Sequence, residues 1–243
     1  MKVESEKLKK FIEKVTYNSL ISDFTMNFLP EGLQILVVTP DNIAFNKGVM
    51  SGDNFVKYEE LDNFGLSDTR SFISKLNLHT GQIELKYEDN KLVLIGENEM
   101  SYDMTCDCEN TDCYLGKVPE FIENLDNGFI VNSNDLLKIS KAWDSLSLRK
   151  SNKPQFIQLC VKNGLLNMKV ENEIGDGFEK NIKVDYKDCK SKFGSIIKTL
   201  FNTLEGDVNV SLKDNYPIKI MEKNDDMKLI YSIAPRVDDE ESN

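Results

Sequence analysis

The chain has 243 residues, 40% hydrophobic and 29% charged, a composition typical of a globular protein that forms one large domain or two small ones. Its 30 Lys and Arg against 41 Asp and Glu give a net charge of −11, which argues against a protein whose whole surface attracts nucleic acid. No apolar run approaches the ~18 residues of a membrane span, so no membrane partner is expected.

Helices and glycine-turn hairpins alternate along the first half. Apolar residues at helical spacing predict a helix over 6–15, with Leu8, Phe11 and Val15 on one face. A strand from Phe24 leads to a turn at Gly32, and the stretches 43–50 and 54–66 leave room for two more strands. A second helix is predicted over 68–78.

The second half repeats this order. Phe156 precedes Gly164 by the spacing that separates Phe24 from Gly32. A glycine, alternating apolar residues and an Asp-Asn turn also recur in register over 81–90 and 206–215. Two matches in the same order favour a duplicated domain.

The fold class that follows is α+β, with a sheet backed by two helices in each half. Helices are predicted over 134–146 and 190–204, and only one strand (178–186) fits between the second hairpin and the last helix. The second half is therefore predicted to be one strand short of the first. The acidic stretch 106–126 is interpreted as a connector between domains at 1–105 and 127–243, the latter ending in an acidic tail.

Positive charge is concentrated on the predicted helices. The four helices hold eleven Lys and Arg against five Asp and Glu, so they carry +6 and the rest of the chain −17. If all four cover the same side of the sheets, they form a positive strip that attracts the DNA backbone without reading sequence. Duplex DNA is the expected ligand because no aromatic platform for single strands is evident. The alternative is that these lysines only solvate helix faces.

Four segments resemble the sliding clamps of the proliferating cell nuclear antigen family, archaeal and eukaryotic. Ile233–Asp239 resembles the terminal signature, Leu8–Glu13 the first helix, Asp214–Ile218 the approach to the last hairpin, and Leu115–Glu120 the interdomain connector. The resemblance implies two similar domains per subunit and a ring of three subunits, with sheets outside and the four helices lining the hole. The implied function is non-enzymatic: the ring encircles duplex DNA and tethers DNA polymerase and other replication and repair enzymes as a processivity factor.

The resemblance also implies site residues and partners. The DNA-facing positions would be Lys9, Lys10, Lys14, Arg70, Lys75, Lys138, Lys141, Lys192 and Lys198. A pocket for short peptide motifs of a polymerase, clamp loader, nuclease or ligase would use Val38, Leu115, Val118, Pro217, Ile233, Ala234, Pro235 and Arg236. Val38 and Ile233 have the alternative of being buried strand residues.

Catalytic and metal chemistry find little support in the sequence, and no cofactor is expected. The spacing of Cys106, Cys108 and Cys113 does not suit a structural zinc site, and a fourth ligand is missing. His79, the only histidine, lies in a turn rather than beside a nucleophile. The N-terminus lacks the apolar core of a signal peptide, so these cysteines are expected to be reduced thiols inside a cell. The expected location is the cytoplasm for a prokaryotic or viral protein and the nucleus for a eukaryotic one.

The sequence leaves two alternatives to a homotrimeric clamp open. One is a non-encircling acidic scaffold of the same fold, or one subunit of a heteromeric clamp. The other is a metal- or thiol-dependent enzyme, which would require His79 or a chelatable metal for its activity.

Overall fold

The computed structural model describes residues 1–89, 91–96, 99–103, 119–125, 127–148 and 153–236. The chain forms two compact units, one of Met1–Lys117 with Lys223–Ile230 and one of Val118–Glu222 with Tyr231–Asn243. Most of the predicted connector, including Cys106, Cys108 and Cys113, lies outside the described residues. The domain boundaries drawn from the sequence stay a prediction.

The described residues of the first unit form two α-helices, a short 3-10 helix (Gly52–Asn54) and nine strands. The helices are α1 (Ser5–Val15) and α2 (Thr69–Leu76). The strands are β1 (Lys2–Glu4), β2 (Phe24–Leu29), β3 (Gly32–Val38), β4 (Ala44–Ser51), β5 (Phe55–Val56), β6 (Phe64–Leu66), β7 (Gln82–Glu88), β8 (Lys91–Ile95) and β9 (Glu99–Asp103).

The second unit follows with three helices and most of the remaining strands. The helices are α3 (Glu120–Glu123), α4 (Ser133–Leu146) and α5 (Ile196–Phe201). The strands are β10 (Phe129–Asn132), β11 (Ile157–Lys162), β12 (Leu165–Glu171), β13 (Gly177–Lys183), β14 (Cys189–Phe193), β15 (Asp207–Ser211), β16 (Ile218–Lys223) and β17 (Met227–Ile233).

Both units have the same strand order, which confirms the duplication predicted from sequence. The order β4-β3-β2-β6 in the first unit corresponds to β13-β12-β11-β14 in the second, and β1-β7-β8-β9 corresponds to β10-β15-β16-β17. The first unit adds the two-residue strand β5 beside β1. The predicted α+β class, with sheets and two principal helices in each half, is confirmed.

The helix α1 forms because its apolar residues fall on one face. Leu8, Phe11, Ile12 and Val15 are fully buried. The Asn46 side chain of β4 then donates hydrogen bonds to the carbonyl oxygens of Val15 (2.8 Å) and Lys14 (3.2 Å), which satisfies acceptors at the end of the helix.

The expectation of a missing strand in the second half is wrong. The segment 177–193 holds two strands, β13 and β14, and the helix predicted over 190–204 spans only Ile196–Phe201. The alternating buried residues Cys189, Ser191 and Phe193 form a strand, and Phe193 also fits the helical spacing of Ile197. Because Phe193 fits both the strand and the helical periodicity, the sequence pattern extended the predicted helix over the strand Cys189–Phe193.

Candidate nucleic-acid interface and peptide-binding residues

The long helices carry an excess of positive charge, as the sequence predicts. Within α1, α2, α4 and α5 there are nine Lys and Arg against four Asp and Glu. Lys192 is not among them, since it lies on β14.

In the first unit the predicted DNA-facing residues differ in their environment. Lys10, Lys75 and Arg70 are exposed, and Arg70 has no ion pair among the described residues. Lys9 is half-buried and lies 3.1 Å from Glu6 one turn earlier. Lys14 is only 4% exposed, so its inclusion on a solvent-facing strip is wrong: its position falls on the buried side of α1.

A further lysine of α1 is neutralised within the first unit. The Lys7 ammonium lies 2.7 Å from the Asp226 carboxylate and 3.1 Å from Asn54 Oδ1. Asn54 in turn donates to the Asp226 carbonyl oxygen at 2.9 Å. This network fixes the turn before β17 against the start of α1. It also offsets the charge of Lys7, one of the cations of the helix.

In the second unit Asp135, at the start of α4, forms ion pairs with two lysines. Its carboxylate lies 3.0 Å from Lys138 and 3.2 Å from Lys180. The hydrogen bond from Lys138 lowers the pKa of Asp135 below its ordinary value, and Lys180 adds to the effect.

The remaining helix cations of this unit differ in their pairing. Lys198 lies 2.6 Å from Asp144, which offsets its charge. Lys141 is exposed and has no ion pair in the part of the chain that the structure describes. Arg70 and Lys141, one in each unit, are therefore the predicted cations whose charge is least offset.

Lys192 contacts an aromatic ring rather than facing solvent from a helix. Its ammonium lies 4.6 Å from the centre of the Phe156 ring, a cation–π geometry. Its carbonyl oxygen accepts a hydrogen bond from the Arg236 amide at 2.7 Å. Because Lys192 lies on a strand and not on a helix, its assignment to the DNA-facing residues stays a prediction.

The predicted peptide-binding residues fall into both units. In the first, Val38 is half-buried at the end of β3. It is followed by a turn in which the Ile43 amide donates to Asp41 Oδ1 at 3.2 Å and Ile43 is 43% exposed. Ile43 is not among the residues predicted from the sequence, although an isoleucine directly after Pro-Asp-Asn indicates an apolar side chain exposed on a turn.

In the second unit the terminal segment is held by its last described residue. The Arg236 guanidinium donates to the backbone oxygen and to Oε1 of Gln155, both at 3.1 Å. Pro217, Ala234 and Pro235 are half-buried and so partly open to a ligand.

Ile233 is fully buried, so it belongs to the core, the alternative that its strand position left open. Leu115 and Val118 lie outside the described residues. Use of the whole set as a peptide pocket stays a prediction.

Other chemistry is sparse in the described residues. His79 is buried, and neither ring nitrogen has a hydrogen-bond partner there. Within the described ranges no group of three His, Cys, Asp or Glu side chains is placed to hold a metal ion, and Cys160 and Cys189 are free thiols. No described helix combines the length and apolar character needed to cross a membrane.

Comparison with known proteins gives matches at the level of structure. No protein-family model matches the chain, and no curated protein sequence matches it. The A. fulgidus PCNA structure with the C-terminal region of FEN-1 bound has a TM-score of 0.80 at 18% identity and covers 98% of both chains. The structure of Entamoeba histolytica PCNA matches with a TM-score of 0.76 at 15% sequence identity, and the match covers 97% of this chain and 98% of that one.

A chain of a PCNA2–PCNA3 complex from Sulfolobus tokodaii matches with a TM-score of 0.72 at 17% sequence identity, and the match covers 97% of this chain and 98% of that one. The two-domain sliding-clamp fold inferred from the sequence is therefore confirmed.

Proposed function

We propose that this chain, which has the sliding-clamp fold of the PCNA structures, encircles duplex DNA and tethers DNA polymerase and other replication and repair enzymes as a processivity factor. The observation that carries the proposal is the match to those structures over 97–98% of the chain. A ring holds DNA by topology, so its individual contacts with phosphate can be weak and salt-sensitive while dissociation stays slow.

The charge distribution supports duplex DNA as the ligand. The whole chain carries −11, yet α1, α2, α4 and α5 together hold nine Lys and Arg against four Asp and Glu, with most of this excess in the first unit. Exposed Arg70 and Lys141 offer charge that no described carboxylate offsets. The acidic remainder would repel DNA elsewhere on the protein.

Open strand edges support assembly with further copies. In the part of the chain that the structure describes, β13 has only β12 as a neighbour and β9 has only β8. Pairing β9 of one copy with β13 of the next would close both edges in a homotrimer.

A heteromeric ring is the second candidate, favoured by one observation. The Sulfolobus tokodaii neighbour is a complex of two different PCNA chains. In a heteromeric ring, the open edges of this chain would meet those of a related but different chain. Solution mass distinguishes the two, since a homotrimer forms from this chain alone.

Partner binding is proposed through short peptide segments. The A. fulgidus neighbour binds the C-terminal region of FEN-1. In the present chain Val38, Pro217, Ala234 and Pro235 are half-buried and leave apolar surface for such a segment. A polymerase, clamp loader, nuclease and ligase would each bring a motif of this kind.

The proposal is tested by retention on a linear duplex. The protein is threaded at high concentration onto DNA whose two ends are then blocked with bulky protein, and the complex is challenged with salt that abolishes binding to a short free duplex. A ring stays on the blocked DNA and is released when a restriction enzyme cuts it. Release before cutting would contradict encirclement.

Assembly is tested separately by light scattering during gel filtration. Phe178 is exposed on β13, so Phe178→Glu should lower the mass from trimer to monomer without unfolding the chain. Ile130→Glu is the matched control, because Ile130 is an exposed apolar residue on β10 of the same unit. A wild-type monomer at tens of micromolar would contradict the homotrimer and leave the heteromeric ring.

A further inference from the structure

A buried lysine binds the end of the predicted connector in the second unit. Lys219 of β16 is 8% exposed. Its ammonium donates to the carbonyl oxygens of Leu125 at 2.8 Å and Ile122 at 3.2 Å. The Ile122 carbonyl belongs to the last turn of α3 and also accepts from the Leu125 amide at 3.4 Å, and the Leu125 carbonyl follows just after the helix, which ends at Glu123.

Strand geometry directs Lys219 toward this segment. Side chains alternate along a strand, so Lys219 lies on the face of β16 opposite the buried Ile218 and Ile220. In the antiparallel register Lys219 pairs with Ser211 of β15. The face shared by Lys219 and Ser211 is therefore the one that the chain crosses on its way from α3 to β10.

Gly128 gives an independent sign of close packing at the same place. Its φ is +70°, and a Cβ there would collide with the Val210 carbonyl oxygen and lie 2.6 Å from Asn209 Oδ1 and 2.7 Å from Ser211 Oγ. The chain just before β10 thus lies directly against β15, the strand that β10 pairs with. Only a residue without a side chain fits this approach.

The chemistry of a buried ammonium explains why the contact is specific. A charge removed from water is tolerated only where hydrogen bonds satisfy it, and the carbonyl end of a helix favours a cation. An apolar side chain at position 219 would remove the donor to the buried Leu125 carbonyl and leave the Ile122 carbonyl with only the 3.4 Å bond from the Leu125 amide, so the end of α3 would lose its fixed position.

We propose that Lys219 is a positioning residue that anchors the connector end, defined as Pro119–Leu125, onto the strands β15 and β16. Through this anchor it fixes where the connector end lies against these two strands. The anchor contacts no partner peptide itself. Its effect on peptide affinity rests on the proposed function, whereas its effect on the connector end does not.

Hydrogen exchange measured by mass spectrometry tests the anchor on the full chain. Lys219→Met should speed exchange at the amides of Asn124 and Leu125 at least tenfold and leave peptides of β2 and β3 unchanged. Lys219→Arg, which keeps a cationic donor, should restore part of the protection. Lys162→Met is the control, since Lys162 is an exposed lysine of the same unit.

The outcomes separate the anchor from the proposed function. Unchanged exchange at the connector end would overturn the anchor. If Lys219→Met does not fold, Lys219→Gln takes its place and is judged by the same measure.

Calorimetry with a synthetic peptide, an aliphatic residue followed by two aromatics, should show at least fivefold weaker binding by Lys219→Met and no change in Lys162→Met. Faster exchange with unchanged affinity would overturn the positioning role. Absence of binding by the wild type would count against the proposed partner site, and exchange alone would then decide the anchor.

Discussion

The backbone amide of Ser133 donates a 2.8 Å hydrogen bond to the carbonyl oxygen of Gly206, and Ser5 makes the same 2.8 Å bond with Gly81. In each unit the bond joins the first residue of the first long helix to the glycine before a strand. Both glycines have left-handed backbone, with φ of +72° at Gly81 and +64° at Gly206. The duplication therefore extends to individual backbone contacts.

Replacing either glycine with alanine should destabilise the protein by about 1 kcal/mol, because an L-residue is strained in the left-handed region. The two losses should be similar, since no atom lies within 4 Å of a Cβ built at either position. Urea unfolding of Gly81→Ala and Gly206→Ala measures them. Gly194→Ala is the control, with equally open space and no left-handed φ, and a comparable loss there would contradict the explanation.

Asn46→Ala should lower the free energy of unfolding by about 1–3 kcal/mol, because it leaves buried carbonyl oxygens at the end of α1 without their donor. Asn46→Asp should cost more, since a carboxylate would face those carbonyls. Urea denaturation measures both. Asn77→Ala, at the exposed end of α2, should change stability by less than about 0.5 kcal/mol. Wild-type stability of Asn46→Ala would show that water replaces the side chain.

Lys141→Glu should weaken binding to a short duplex more than Lys138→Glu. The charge of Lys138 is already offset by Asp135 at 3.0 Å, whereas Lys141 has no ion pair among the described residues. Losing one phosphate contact should lower the slope of log affinity against log salt by about 1. Fluorescence anisotropy at several salt concentrations measures both quantities. Equal losses in the two variants would indicate that the pairing with Asp135 breaks on DNA.

The stability that Asp135 contributes should depend on pH. Its pKa is lowered in the folded state, chiefly by the hydrogen bond from Lys138, so the contribution is present above the unfolded-state pKa of about 3.9 and is lost as pH falls through the folded-state value. Asp135→Asn should be less stable than wild type at pH 7. Urea unfolding at a series of pH values should show the difference shrinking below about pH 4. A difference that is constant with pH would point to packing rather than charge.

The sequence predicted most of the fold because its turns carry strong local signals. The glycines at 32, 81, 164 and 206 mark both hairpins and both helix-to-strand turns in register, which revealed the duplication. The strand Cys189–Phe193 was missed because Phe193 fits a helical and a strand periodicity equally well, and only pairing with β11 decides between them. Such pairing is a tertiary contact that no local pattern contains.

The candidate sites were predictable only in part, for a similar reason. Helical spacing placed Lys10 and Lys141 on exposed faces, but it also placed Lys14 there, and the structure buries Lys14. The pairing of Lys138 with Asp135 follows from i, i+3 spacing and could have been anticipated. The contact between Lys219 and the end of α3 joins residues about a hundred positions apart, so the sequence offers no pattern for it.

The first unit is completed by residues from the far end of the chain. Lys223–Ile230 belong to it, and the ion pair between Lys7 and Asp226 joins residues separated by 219 positions. As the protein is synthesised from its N-terminus, α1 and β4 emerge long before the segment that completes their unit. The first unit can therefore reach its final packing only when nearly the whole chain has left the ribosome, and the two halves mature together although they arose as repeats.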